Sequence, residues 1–453
     1  MPAPPLPFEA EELRGMFSGL VRPFAIAVSG GADSMALMHL VCACRRNGDG
    51  TALPPPLVLT VDHGLRPEGP AETVFVAEQA RRLGLQHETL RWDGPKPSSG
   101  IQDAARHARY DLILSRLSAE NPPRDLVLAH TLEDQAETLL MRLARGSGID
   151  GLSAMRPCER RIVVKLGHPV REIAVDLLRP LLDIAKGRLV AHLRAGGHAW
   201  REDPSNSDVR FERVRVRQAA GALAALGLTP ESLGRTARRL RDERAVLRDR
   251  TRALAKNAVN DHGGAFGEFS VGREQDWLVP DLVRLITPLL NVFGGTAPPA
   301  QLSQIETLAE RVRSISVHAK GRLTLGGCLV EIDQRGDARR LRVYREFARH
   351  PLPQIKLEPG QGAFWDRRFY ISVADAAAGP VEMVPFGATA ADPSDAKLPR
   401  RCLAGLPAIG QSGTAEPRLL MPPGTSLVAC QWPPQHARRV RWLEDEPLTL
   451  ETN

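Results

Sequence analysis

The chain has 453 residues, more than one hydrophobic core ordinarily serves, so two or three domains are expected. Its formal net charge of +7 and pI near 9.3 suit a polyanionic partner. The six cysteines (Cys42, Cys44, Cys158, Cys328, Cys402 and Cys430) form no CxxC pair, which excludes a zinc knuckle or an iron–sulfur motif of that spacing; no run is apolar enough to span a membrane, and the proline-rich acidic start is no signal peptide, so a cytoplasmic protein without membrane contact is expected.

The first apolar run, Phe24 to Val28, reads as a buried parallel strand. It ends in Ser29-Gly30-Gly31-Ala32-Asp33-Ser34, and a helical pattern begins at once with Met35, Leu37 and Met38. Strand, glycine turn and helix start together build an anion cradle, in which backbone N–H groups converge, the helix dipole helps and the serines add donors. A carboxylate in such a cradle repels phosphate unless it holds a Mg²⁺ that the phosphates share, which makes Asp33 a metal candidate. The loop lacks the lysine of GxxxxGK[ST] and the spacing of GxGxxG. The bland alternative is a tight turn with a Ser/Asp helix cap.

Further strands are expected at 57–61, 88–92 and 126–129, with helices near 33–46, 68–84, 101–119 and 133–145. That alternation predicts a doubly wound α/β fold with a parallel sheet, whose ligands lie at the carboxyl ends of the strands. Each of the next motifs falls at or just after such an end. Val61-Asp62-His63-Gly64-Leu65-Arg66 closes the second strand, and His63 taken alone is an ordinary loop histidine. Arg106 and Arg109, three apart in Ala105–Tyr110, share a helix face, which by itself reads as a solvated surface. After the fourth strand comes His130-Thr131-Leu132-Glu133-Asp134-Gln135-Ala136-Glu137-Thr138. Asp134 and Glu137 start a helix and share one face; acidic residues there also serve as simple caps. Arg145-Gly146-Ser147-Gly148 ends that helix in a potential phosphate loop. Arg179-Pro180-Leu181-Leu182, Lys186 and Trp200-Arg201-Glu202-Asp203-Pro204-Ser205-Asn206 follow, and arginine alternates with apolar residues from Phe211 to Arg217.

From Glu231, Leu233, Ala237, Leu240, Leu247, Leu254 and Ala258 recur at three- and four-residue steps, the pattern of one long amphipathic helix. Its other face carries Arg235, Arg238, Arg239, Arg241, Arg248 and Arg252. Residues 201–256 hold 14 Lys/Arg against 8 Asp/Glu, so nearly the whole chain's excess charge lies there. Helices near 278–293 and 300–314 come next. Beyond Gly321 the texture is strand-like, with turns at Gly326-Gly327, Gly336-Asp337 and Pro359-Gly360.

The string SGGxDS resembles the PP-loop of the N-type ATP pyrophosphatases, which cleave ATP between its α and β phosphates. Taken in order, SGGxDS, VDHxLR, ARxxRY, the His130–Thr138 segment running into RGSGxxGL, RPLL and WxEDPSN resemble the tRNA(Ile)-lysidine synthases over about residues 22–217. Thr131 and Glu133 stand where members often have His and Asp, and Val214 where an asparagine is common.

The resemblance implies a PP-loop ATP-binding catalytic domain over 1–217; the helical and then strand-like texture beyond it is expected to form a helical, arginine-rich, tRNA-contacting domain over 218–320 and a smaller β-rich domain over 321–453 that assists tRNA recognition. It implies a ligase that joins L-lysine to C2 of the wobble cytidine in the CAU anticodon of isoleucine tRNA, using ATP and Mg²⁺. The base is adenylated, and AMP and pyrophosphate are released. Ser29, Gly30, Gly31, Ala32, Asp33, Ser34, His63 and Arg106 are then assigned to ATP, and Asp33 and Asp134 to metal. Asp33, Asp134, Glu137 and Arg109 are assigned to catalysis, and Arg145, Arg179, Lys186, Arg201, Arg238 and Arg241 to tRNA. Monomer and homodimer stay open. Rival readings are a tRNA thiolase, which needs reactive cysteines where Cys42-Ala43-Cys44 has the wrong spacing; a small-molecule amide ligase such as an NAD synthetase, which needs no basic helix; and a non-enzymatic RNA-binding protein, against which Asp33, Asp134 and Glu137 argue.

Overall fold

The structure, a computed structural model, describes residues 8–450 except 47–52, 66–68, 95, 98–99, 166–170, 203–211, 256–258, 263–264, 273–276, 296, 316–318, 337, 374–376, 378, 388–398, 411–417, 420–427 and 432–447. Arg66, Asp203–Asn206, Phe211, Ala258 and Asp337 therefore lie outside the described residues. The chain divides into two compact units within one long helix, between Ala245 and Val246, and a last strand returns to the first unit.

The first unit runs α1 (Ala10–Phe17), β1 (Phe24–Ala27), α2 (Ala32–Arg46), β2 (Leu57–Asp62), α3 (Gly69–Arg82), β3 (Gln86–Arg91), α4 (Ile101–Ser118), β4 (Asp125–Val127), α5 (Leu132–Ala144) and α6 (Ile149–Leu152). Then come β5 (Cys158–Lys165), β6 (Arg171–Leu178), α7 (Lys186–Ala195), α8 (Glu212–Gln218), α9 (Ala220–Ala225) and α10 (Pro230–Ala255). The expected alternation is present. The parallel register sets Ile26 beside both Val58 and Val127. Successive residues of β1 point to opposite faces, and both faces are buried. Phe24 and Ile26 pack with α1, α2 and α7 through Leu13, Leu37 and Leu189. Ala25 packs on the other face with Ile113, Leu114 and Leu117 of α4. Helices thus cover both sides, as a parallel sheet requires.

Strand order is β19-β5-β6-β4-β1-β2-β3, where β19 is Leu448–Leu450. Strands β5 and β6 escape a reading by apolar alternation, because Glu159, Arg160, Arg161, Glu172 and Asp176 interrupt their apolar residues. In α10, Leu233 and Ala237 are buried with Ala136 and Leu139 of α5, whereas Leu254 of the same stripe packs against the core of the second unit.

The second unit continues with β7 (Val259–Asp261), β8 (Phe266–Gly272), α11 (Val279–Phe293), α12 (Leu302–Ser314), β9 (Lys320–Leu325), β10 (Cys328–Arg335) and β11 (Ala338–Arg345). These strands form an antiparallel sheet of order β7-β8-β11-β10-β9. The apolar faces of α11 and α12 cover it, with Leu285, Leu289, Phe293 and Leu308 against Phe269, Val330 and Val343. Hairpins turn where the glycines stand: Gly326 and Gly327 both take φ in the left-handed region. Strand β8 pairs with β11, so the sheet draws on residues either side of 320. Two small antiparallel sheets follow, built from β12 (Ile355–Leu357), β13 (Gly362–Trp365), β14 (Phe369–Val373), β15 (Val381–Pro385), β16 (Pro407–Gly410), β17 (Arg418–Leu419) and β18 (Val428–Gln431), with a short α13 (Arg400–Leu403) between β15 and β16.

Candidate active site

Beyond β1 the chain curls. Gly30 takes φ +85°, which a side chain at that position would strain. The Ser29 N–H donates to Ser34 Oγ at 3.2 Å, and that hydroxyl donates to the Gly31 carbonyl at 3.0 Å. The Met35 N–H closes the first helical turn on the same carbonyl. The Gly30 carbonyl accepts the Arg201 N–H at 2.9 Å, which ties the loop to the segment after α7. Ala32 starts α2, and Asp33 stands in its first turn.

Asp33 opens on a cavity of about 250 Å³, lined among the described residues by Asp33, Thr131, Glu133, Asp134, Glu137, Lys186 and Arg217. That is less than the roughly 300–1,000 Å³ of pockets that enclose whole drug-sized ligands. Four carboxylates face two cations. Burial pushes the Asp33 carboxyl upward against the opposing pull of Lys186, whose Nζ lies 3.1 Å from Oδ2. Its Oδ1 is buried and has no hydrogen-bond partner among the described residues.

Asp134 and Glu137 occupy one helix face, as their spacing predicts, but they differ in environment. Asp134 completes a capping box with Thr131: Oδ2 accepts the Thr131 N–H at 2.9 Å and its hydroxyl at 3.1 Å. Burial opposes its ionisation, yet His130, the Thr131 donors and Arg213 hold it below the ordinary carboxylate range. His130 is itself driven down to about 3, by burial first and by Arg179, Arg106 and Arg213, against the pull of Asp134. Glu137 is no cap. It lies one turn further on, 6% exposed, and takes the Arg217 guanidinium in two hydrogen bonds of 2.5 and 3.2 Å. Burial raises its pKa, and Arg217 opposes that rise.

Sequence reasoning placed neither Glu133 nor Arg217 at the site. Arg217 had a visible signal in the arginine alternation that ends at it. Glu133 accepts the Lys186 N–H with both carboxylate oxygens, at 3.0 and 2.9 Å, so it caps α7.

Two of the residues expected to contact tRNA stand in enclosed surroundings. Lys186 lines the cavity with its ammonium on Asp33. Arg179 is 4% exposed, and its guanidinium donates to Glu159 at 2.7 Å and to the Arg156 carbonyl at 2.9 Å. Arg145 is exposed and pairs with Glu212. Arg201 is exposed with its guanidinium over Phe75, 5.0 Å from the ring centre. Arg238 is exposed beside Asp183 at 3.0 Å, and the half-buried Arg241 donates to the Met155 carbonyl at 3.1 Å.

His63, Arg106 and Arg109 do not line the cavity. His63 and Arg109 instead meet each other at the end of β2, Nε2 to Nη2 at 3.2 Å. Arg106 lies over Tyr110 on the same helix.

Comparison with known proteins identifies relatives over most of the chain. The PP-loop domain family matches residues 14–222. A tRNA(Ile)-lysidine synthase of Ruegeria pomeroyi is 38% identical over 79% of this chain and 79% of its own length. One from a Bradyrhizobium species is 40% identical over 72% of this chain and 92% of its own. One from Rhizobium meliloti is 34% identical over 91% and 86%. Among solved structures, a U34-tRNA thiolase from Methanococcus maripaludis aligns at 17% identity and a TM-score of 0.40, over 51% of this chain and 79% of that one. The glycine loop, the carboxylates of α5 and the extent of these matches lead to one conclusion: the chain belongs to the tRNA(Ile)-lysidine synthase family.

Proposed function

We propose that this chain joins L-lysine to C2 of the wobble cytidine of the CAU anticodon in isoleucine tRNA, with ATP as co-substrate, and that it does so in the cytoplasm. One observation carries the reading: Asp33 of the glycine loop and the carboxylates of α5 open on the same cavity. A place for departing pyrophosphate therefore adjoins a place for an ammonium group.

In the first step the cytidine carbonyl oxygen attacks the α-phosphorus of ATP, and pyrophosphate leaves with the electron pair of the broken P–O bond. In the second, the lysine amine attacks C2 and AMP leaves. Backbone N–H groups at the start of α2 would orient the phosphates. The ammonium of lysine is protonated at neutral pH and must lose a proton before it attacks. Glu137 would orient that ammonium. Its raised pKa makes it a better acceptor for the proton than an ordinary carboxylate.

The donor set suits Mg²⁺. That ion is commonly held by one or two carboxylates plus substrate phosphates. The buried, unpartnered Oδ1 of Asp33 and the nearby Asp134 would supply them, and no cluster of three protein ligands exists among the described residues. When bound, Mg²⁺ neutralises charge on the phosphates.

Arg145, Arg201, Arg238 and Arg241 would contact the tRNA backbone, with 1–217 carrying the chemistry and 218–320 and 321–453 adding tRNA-selecting surface. No helix among the described residues is long and apolar enough to cross a membrane. A thiolase reading finds no support in the cavity, whose lining among the described residues includes no cysteine; Cys42 and Cys44 are buried in the core around α2.

The test is nucleoside analysis of isoleucine tRNA incubated with the protein, ATP and labelled lysine. Labelled lysidine, absent when ATP is omitted, is the expected product; unlabelled tRNA under all conditions overturns the reading.

A further inference from the structure

A phosphate loop without a lysine lacks the point charge that usually meets the terminal phosphates. Here Ser29–Ser34 has none, and the cavity it opens on is lined by four carboxylates. A triphosphate entering that cavity meets repulsion unless a cation comes to it. Of the two cations in the lining, Arg217 is already held by Glu137 in two hydrogen bonds. Lys186 differs: its side chain is 45% exposed and makes a single contact with Asp33 through a flexible stem.

The fold places this lysine deliberately. Lys186 is the first residue of α7, and its N–H is gripped by both oxygens of Glu133. Glu133 belongs to the first turn of α5, so the start of α7 is pinned to the helix that carries Asp134 and Glu137. Helices α7 and α2 also pack together, with Leu189 and Leu193 in the same core as Leu37, Leu40 and Val41. Two helix N-termini therefore converge on one point, 153 residues apart in sequence, with Asp33 on one and Lys186 on the other.

We propose that Lys186 is the missing lysine of this phosphate site: its ammonium leaves Asp33 for the β,γ-pyrophosphate of ATP and stays with that group as it departs. The proposal rests on the reading above that the cavity receives the pyrophosphate end of ATP. The α-phosphorus–oxygen bond breaks, its electron pair passes to the pyrophosphate oxygen, and the ammonium offsets the charge that develops there. Glu133 is then a positioning residue, acting through the backbone of Lys186.

The full-length chain is tested in wild-type form and as Lys186→Met and Lys186→Arg. Calorimetric binding of inorganic pyrophosphate with Mg²⁺, and of AMP, needs no tRNA. Lys186→Met should weaken pyrophosphate binding at least about tenfold and leave AMP binding unchanged; Lys186→Arg should keep most of it. With isoleucine tRNA and ATP, single-turnover pyrophosphate release should slow about a hundredfold in Lys186→Met, in line with loss of one electrostatic stabiliser, while the KM for L-lysine stays put. Unchanged pyrophosphate binding in Lys186→Met overturns the proposal. So does normal pyrophosphate release with a raised KM for lysine, which assigns Lys186 to the amino-acid subsite. Should Lys186→Met fail to fold, Lys186→Gln carries the same comparison. Pyrophosphate binding that depends on Lys186, in a protein that leaves isoleucine tRNA unmodified, would refute the lysidine reading and keep this one; lysidine formation with Lys186-independent pyrophosphate binding would do the reverse.

Discussion

The guanidinium of Arg217 grips the carboxylate of Glu137 through two hydrogen bonds, although 80 residues separate them in the chain. Glu137 is almost wholly buried, whereas the Arg217 side chain keeps 39% of its exposure. The pair is therefore a buried anion held by a cation that water still reaches, and both line the cavity.

Glu137→Gln should leave the melting temperature within a few degrees of wild type, because the amide relieves a buried charge and Arg217 can turn to solvent. Lysidine formation should fall by at least about two orders of magnitude if the carboxylate orients the amine. Thermal unfolding and a steady-state assay on the same preparation check this. Retained turnover would remove Glu137 from the chemistry.

Asp134→Asn should behave differently. The side chain completes the capping box with Thr131, and its charge faces the N-terminus of α5. The substitution should cost about 0.3–1 kcal/mol of stability along with activity. Chemical denaturation of the variant decides it; a loss of activity without loss of stability would show that the cap does not depend on the charge.

Asp33→Ala should reduce lysidine formation by at least about a hundredfold and make the remaining activity insensitive to Mg²⁺ between micromolar and millimolar. A Mg²⁺ titration of the variant that still follows the wild-type curve would exclude Asp33 as a metal ligand.

The arginines of α10 make separable predictions. Arg238 is exposed, so Arg238→Glu should weaken cognate and non-cognate tRNA alike and flatten the salt dependence of binding, since backbone contacts position without specifying. Arg241 is half-buried and donates to the Met155 carbonyl, so Arg241→Glu should cost stability as well. Binding isotherms at several salt concentrations, read beside melting temperatures, separate the two.

His39 of α2 is buried and stacked on His198 with ring centres 3.6 Å apart. Burial first, then His198, His192 and Arg46, push its pKa down to about 4. The unfolded chain, with an ordinary histidine near 6.5, binds the proton more readily, so stability is lost as pH falls from about 6.5 toward 4. The loss amounts to about 3 kcal/mol over that window. Replacing the ring by His39→Phe should flatten the acid limb of a plot of melting temperature against pH. An unchanged limb would place the acid sensitivity elsewhere.

Much of the first unit was legible in the chain itself. An apolar strand, a glycine turn and an immediate helix are local features, and they fix where Ser29–Ser34 and Asp33 stand whatever surrounds them. The spacing of Asp134 and Glu137 likewise determined that they share a face, because the helix period is a local property. The spacing did not say that one caps and the other is buried against Arg217. That depends on where α8 lies, and α8 meets α5 only in the folded chain.

Lys186, Arg179 and Glu133 show the same limit. Three charged residues of similar sequence texture become a cavity cation, a buried guanidinium held by Glu159, and a cap for another helix. Their positions along the chain are local facts, but their partners lie 153, 20 and 53 residues away. Short-range periodicity determined β1 to β4, α2 to α5 and the glycine loop between β1 and α2. Only the tertiary packing of α2, α5, α7 and α8 decided which charges enter the cavity, because a charge is defined by its burial and its neighbours.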